Sequence, residues 1–336
     1  MEDTHVSLAH GNGGRYMREL ITEIFARHLS NPYLRTDTDA AVLPWNAADG
    51  ELAFTTDSFT VQPIEFPGGN IGSLAVHGTT NDLAVAGAVP KYLSLGVLLE
   101  EGLEFAVLER VVMGIAAAAR GVGVVVAAGD TKVVRRGEGG GIYLNTSGIG
   151  VKNPALQLGI EHIRPGDAVL VSGPVGDHGI AVMLAREQFG MRGDLQSDAA
   201  SVLPLTLELA KLPGLRFMRD PTRGGLATVA HEIVHGSGFG VTFAEEHVPV
   251  RDSVRSVCEM LGYDPYFLAC EGRVVAVVAA EQAERALAMW SALPAGRDAA
   301  IIGSVQEQPA RLVLQTTIGG ERVIEELEDD PLPRIC

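Results

Sequence analysis

The sequence predicts an α/β (α+β) chain of two domains, on three observations. Its 336 residues are enough for two cores of ordinary size. Both halves mix short apolar runs of strand type with amphipathic stretches of helical period. The composition also shifts at KNPALQLG, which sets the expected boundary near residue 152. The expected organisation is therefore 1–152, 153–321, and a flexible tail over 322–336.

Each element has its own local reason. Directly after the glycines of HGNGGR, residues 15–29 (RYMRELITEIFARHL) place apolar side chains at helical spacing. ELAFTTDSF, at 51–59, reads as a strand running into a loop. From Ile71 to Val89 the chain is small and apolar, which fits a helix in close contact with its neighbours. Leu108, Val111, Val112, Ile115 and Ala119 form a second helical stripe ending at Gly121, and GVVVAAGD follows as a short buried strand. The second half offers strand DAVLVSG and helices GIAVMLAREQFG, SVLPLTLELAKL and GLATVAHEIVHG. Strands RVVAVVAA and ARLVLQTT then flank helix EQAERALAMWSAL. From Gly319 onward no pattern predicts a packed element, and Pro331 and Pro333 exclude a final helix.

Bulk chemistry narrows the function. Lys plus Arg is 26 against 42 Asp plus Glu, a formal net charge of −16. That disfavours nucleic acid and anionic membrane as partners, since both need clustered positive charge. Nucleotides remain compatible, because acidic proteins bind them through magnesium and backbone amides. No stretch of ~20 apolar residues could span a bilayer, and MEDTHVSLAHGNGG lacks the basic start and apolar core of a signal peptide. Cys258, Cys270 and Cys336 form no CxxC pair, so neither a disulfide framework nor a thiolate zinc site is indicated. The expected setting is the cytoplasm.

The informative residues are carboxylates in costly places. Asp82 is the only formally charged residue between Ile71 and Val89, and an ionised carboxylate there needs compensation. Asp39 (TDTDAAVL), Asp57 (TTDSF), Asp130 (GDTKVV) and Asp220 (RDPTRGG) mostly sit where an apolar or strand-like run meets a loop. Any one of them reads most simply as a turn or cap residue. Five of them beside a glycine-rich loop are better explained by one magnesium–polyphosphate site. HGNGGR would supply backbone amides to those phosphates, although it is neither a Walker A sequence nor a GxGxxG. Lys132 would contact a phosphate or neutralise developing charge, where the plainer reading is a surface lysine.

Together HGNGGR, TTDSF, FPGGNIG, GTTNDLA, GDTKVV, SGPVGDHG, RDPTRGG, CEGR and the terminal PRIC resemble the HypE carbamoyl dehydratases of nickel–iron hydrogenase maturation. These lie within the superfamily of aminoimidazole ribonucleotide synthetase. The resemblance runs nearly the whole chain; GTTNDLA, GDTKVV and RDPTRGG carry the superfamily and PRIC the family. One departure is TDTDAAVL, where relatives often have two adjacent acids. Here Thr38 precedes Asp39, so only Asp39 carries over.

The resemblance implies an aminoimidazole ribonucleotide synthetase-like fold, with an N-terminal ATP-binding and dimerisation domain and a C-terminal α/β domain. It implies that Cys336 carries the substrate: the carbamoyltransferase HypF places a carbamoyl group on its sulfur. ATP then drives dehydration of that S-carboxamide to a thiocyanate, and a HypC–HypD scaffold receives the cyanide for the hydrogenase iron. Implied catalytic residues are Cys336, Lys132 and Glu271 of CEGR, which otherwise reads as a turn acid. Gly11, Gly13, Gly14, Asn81, Asp82, Asp130 and Lys132 would contact ATP, while Asp39, Asp57, Asp82, Asp130 and Asp220 would hold Mg2+. A homodimer pairing through the N-terminal sheets is implied as well. Two rivals remain: an ATP-dependent small-molecule ligase or kinase of the same superfamily, and a nucleotide-regulated scaffold whose Cys336 ligates iron.

Overall fold

Residues 4–11, 15–34, 41, 43–186 and 193–327 are described by the structure, a computed structural model. Two units emerge. One holds the chain up to Leu83 with Ala88–Asn153; the other holds Ala84–Gly87 with the chain from Pro154.

The first unit is built on a four-stranded sheet of β1 (Glu51–Phe59), β2 (Ala88–Glu100), β3 (Val125–Val134) and β4 (Ile142–Lys152), in the order β1-β4-β2-β3. Only β2 and β3 run parallel. Alternation along β2 sends Leu93, Leu95, Val97 and Leu99 to one face, none more than 3% exposed. That face is covered by α1 (residues 15–29, with a π-helical stretch at Ile21–Ala26), α2 (Ile71–Val85) and α3 (Phe105–Val122). Asn70 of FPGGNIG caps α2, its Oδ1 accepting the Gly72 and Ser73 amides at 2.9 and 3.0 Å. The opposite face carries no described element and exposes Leu52, Phe54 and Leu98.

Among its described residues the second unit has seven strands: β5 (Ala168–Val171), β6 (Leu215–Arg219), β7 (Gly240–Ala244), β8 (Val275–Val278), β9 (Ala300–Gln306), β10 (Leu312–Gln315) and β11 (Glu321–Val323). Their order is β11-β10-β7-β9-β5-β8-β6, antiparallel except between β10 and β7. Helices α4 (Asp177–Ala185), α5 (Leu203–Leu209), α6 (Gly225–Ser237), α7 (Asp252–Leu261) and α8 (Ala283–Ser291) accompany them. Leu226 and Ile233 of α6 share one core with Val169, Phe243, Val277 and Ile302.

Three expectations change. The helix expected to reach Val89 stops at Val85, because Gly87 turns the chain at φ +82° into β2. Strand β3 does not end at Asp130, as GVVVAAGD predicts, but continues through Lys132 to Val134. Arg322, Val323 and Ile324, expected in the tail, are instead tied to the second unit, since Glu321–Val323 pairs with β10 and Ile324 is 2% exposed. That strand is short and solvent-facing, so only its main-chain pairing reveals it.

Candidate active site

Strand β1 presents Thr55 and Asp57 to the helix-covered face, two residues apart and therefore side by side. Thr55 Oγ1 donates to Asp82 Oδ2 at 3.0 Å, tying GTTNDLA to TTDSF. Gly78 lies four residues before Asp82 on α2, ~6 Å along the helix. A Cβ there would fall 2.7 Å from the Phe59 ring and 3.9 Å from Asp57 Oδ2, so only glycine lets α2 lie this close to β1. Thr146, the register partner of Asp57, bonds Thr79 through its hydroxyl. Asp57 and Asp82 thus share one patch, beside the buried Asn81.

Asp130 lies elsewhere. In register it follows Ser58, Asn145 and Gly96 across the sheet, on the open face and at the opposite edge from β1. Three strand spacings, roughly 14 Å, separate that edge from β1. The single cluster expected of these acids is therefore not assembled among the described residues of one unit. Lys132 stands two residues on, its Nζ 3.3 Å from Asp130 Oδ2, with both side chains about two-thirds exposed at 66% and 67%. Gly11 of HGNGGR packs against this strand, where an added Cβ would lie 2.8 Å from Val133 Cβ. Between α1 and the sheet an apolar cavity of about 240 Å³ opens beside Gly129, Asp130 and Thr131, lined by Met17, Phe25 and Leu95 among others. Sequence reasoning missed it, since its walls come from three separate segments. Gly13, Gly14, Asp39 and Cys336 lie outside the described residues.

In the second unit the two predicted acids come together. Strands β6 and β8 pair Arg219 with Val275, and beyond the ladder Cys270 N–H donates to Pro221 O at 3.0 Å. RDPTRGG and CEGR are thereby held at one end of the sheet, with Asp220 and Glu271 each 7% exposed. SGPVGDHG joins them: Gly176 N–H donates to Cys270 Sγ at 3.2 Å, and Arg273 Nε to Pro174 O at 2.9 Å. Asp177 meets Arg251 at 2.9 Å and Arg273 at 3.4 Å. Burial pushes its carboxyl above the ordinary range, against the pull of both guanidiniums.

His178, fully buried beside Ser197 Oγ at 2.8 Å, is depressed by burial to about 3. Its unfolded form protonates near ~6.5. Its contribution is therefore complete above that value and is lost as pH falls toward its folded pKa. His77, pushed down to about 4 by burial, acts in the same direction. Urea unfolding midpoints are expected to hold above about pH 6.5 and to drop as the pH falls from there toward about 4, with a shallower slope in His178→Gln. An unchanged slope would contradict the assignment.

Among the described residues no three His, Cys, Asp or Glu side chains converge on a metal site. Magnesium does not require such a cage, because one or two carboxylates plus substrate phosphates commonly hold it. The Asp57–Asp82 patch fits that donor set.

Residues 37–152 match the family described as AIR synthase related protein, N-terminal domain, and residues 164–314 its C-terminal counterpart. The carbamoyl dehydratase HypE of Azotobacter vinelandii is 47% identical over 333 residues, covering 98% of this chain and 97% of that one. This chain belongs to the HypE family of carbamoyl dehydratases. A crystal structure of the hydrogenase maturation protein HypE in complex with ATP superposes at TM-score 0.92 and 45% identity, covering 98% of this chain and 99% of that one. A HypE–HypF complex contains a chain matching at TM-score 0.80 and 44% identity, over 92% and 99% of the two. No described helix is long and apolar enough to cross a membrane.

Proposed function

We propose that this protein dehydrates an S-carboxamide on its own Cys336 to a thiocyanate, at the expense of ATP, to supply the cyanide ligand of a hydrogenase iron. The observation that carries the choice of thiol concerns the other two cysteines. Cys258 is 3% exposed and its thiol is pushed up to about 11 by burial. Cys270 is fully buried and is pushed well above the ordinary thiol range. A buried thiol of raised pKa is a poor nucleophile, which leaves Cys336 to carry the group. Both described thiols are free, as suits the cytoplasm.

An amide oxygen is a very poor leaving group. In the proposed reaction that oxygen attacks the γ-phosphorus of ATP, and ADP departs. The C–O bond then breaks as phosphate leaves, while nitrogen gives up both protons and the C≡N bond forms. Positioning and charge neutralisation dominate such phosphoryl transfer. Lys132 would face the transferring phosphoryl group, and Glu271 would take a proton from nitrogen. Asp57 and Asp82, with Asp39, Asp130 and Asp220 as further candidates, would hold Mg2+, which supplies charge neutralisation at the phosphates. HypF would load the carbamoyl group and a HypC–HypD scaffold would receive the cyanide. Homodimer pairing through the open sheet face is supported by the exposure of Leu52 at 56% and Phe54 at 69%.

Two measurements test this. Mass analysis of the Cys336 peptide, after carbamoyl loading and then magnesium-ATP, should show gain of a carbamoyl group and then loss of one water. Persistence of the carboxamide would refute it. Asp82→Asn keeps size but removes a ligand charge, and should weaken magnesium-ATP binding roughly tenfold or more by titration calorimetry. Parental affinity and turnover would remove Asp82 from the metal set.

A further inference from the structure

The CEGR turn is gripped from outside by a segment that no motif above accounts for. Residues 193–202 cross it without regular secondary structure. The Asp198 side chain, 0% exposed, accepts the Glu271 amide at 3.1 Å on Oδ1 and the Gly272 amide at 3.3 Å on Oδ2. Those amides belong to the peptide units on either side of the Glu271 Cα. Arg273 Nε stands 3.4 Å from the same Oδ2. The fit is tight as well as polar, for a Cβ on Gly272 would fall 1.9 Å from Asp198 O. On its other side Ser197 Oγ accepts the Ala199 amide at 3.0 Å and meets His178 Nδ1.

We propose that Asp198 is a positioning residue for dehydration, fixing both peptide units around Glu271 and so setting where the Glu271 carboxylate points. A buried carboxylate is an expensive way to tie down a loop, since desolvation opposes it. Two amides and a guanidinium answer it with charge-assisted bonds, which are stronger and more directional than neutral ones. The benefit is geometric: an error of about an ångström at a reacting group can cost on the order of a hundredfold in rate. Asp198 acts through Glu271 and touches no substrate. The inference therefore rests on the proposed role of Glu271.

The test is single-turnover dehydration of carbamoylated protein at saturating magnesium-ATP, in the parent, Asp198→Asn, Glu271→Gln and the double variant. Asparagine offers one acceptor oxygen where two are needed. Asp198→Asn is expected to slow dehydration roughly 10- to 100-fold, with carbamoyl loading and ATP affinity within about twofold of the parent. Since both residues act as one unit, the double variant should be no slower than Glu271→Gln alone. A merely structural role would instead slow the double variant further, and that multiplicative result would overturn the inference. So would a parental rate in Asp198→Asn when Glu271→Gln is slow. A parental rate in Glu271→Gln would remove the catalytic role of Glu271, and the inference with it. If Asp198→Asn unfolds at the assay temperature, Asp198→Glu is read by the same comparison, since it keeps the charge but misplaces it.

Discussion

Cys336→Ala is expected to fold as the parent does, bind magnesium-ATP with unchanged affinity, and accept no carbamoyl group at all. The loss should be complete because the other two thiols are poor substitutes. Cys258 and Cys270 are buried, and burial disfavours the thiolate of each. Carbamoyl transfer followed by intact mass reads the result directly. A carbamoylated alanine variant would move the substrate to another residue and overturn the proposal for Cys336.

Lys132→Ala is expected to cost roughly 100- to 1,000-fold in single-turnover dehydration, the scale of removing one preorganised donor from developing charge. The fold should not notice, for the Lys132 side chain is 66% exposed and its partner Asp130 67%. Its ion pair with Asp130 is a surface pair, so breaking it changes stability little. Thermal melting and circular dichroism should therefore overlay the parent while the rate collapses. Full-rate cyanide formation would leave Lys132 with no part in the chemistry.

How much of this was legible beforehand differs by residue. Strand β1 matched ELAFTTDSF to the residue, because strand-favouring Phe54, Thr55, Thr56 and Phe59 dominate it and Asn46 and Gly50 punctuate its start. β2 was missed although Leu93, Leu95, Val97 and Leu99 alternate cleanly. It follows the apolar helix α2 after only Ala86 and Gly87, and the two runs merge in sequence. Asp57 and Asp82 were both singled out from the sequence, but their common patch depends on Gly78 and Thr55, which carry no charge to draw attention. Asp130 was expected at the end of its strand, where GVVVAAGD meets a loop; pairing of Lys132 with Leu98 and Val134 with Glu100 carries the ladder past it instead. Asp198 was invisible for a different reason. In SDAAS it looks like any loop acid, and its partners lie 73 and 74 residues away.

One isotope experiment bears most directly on ATP-driven dehydration at Cys336. The protein is carbamoylated with oxygen-18 in the S-carboxamide, then given unlabelled magnesium-ATP in unlabelled water. Because the carboxamide oxygen is phosphorylated before the C–O bond breaks, the label should appear in inorganic phosphate, matching thiocyanate formed on the Cys336 peptide. Unlabelled phosphate alongside thiocyanate, with the oxygen-18 found in water, would contradict phosphorylation of the substrate.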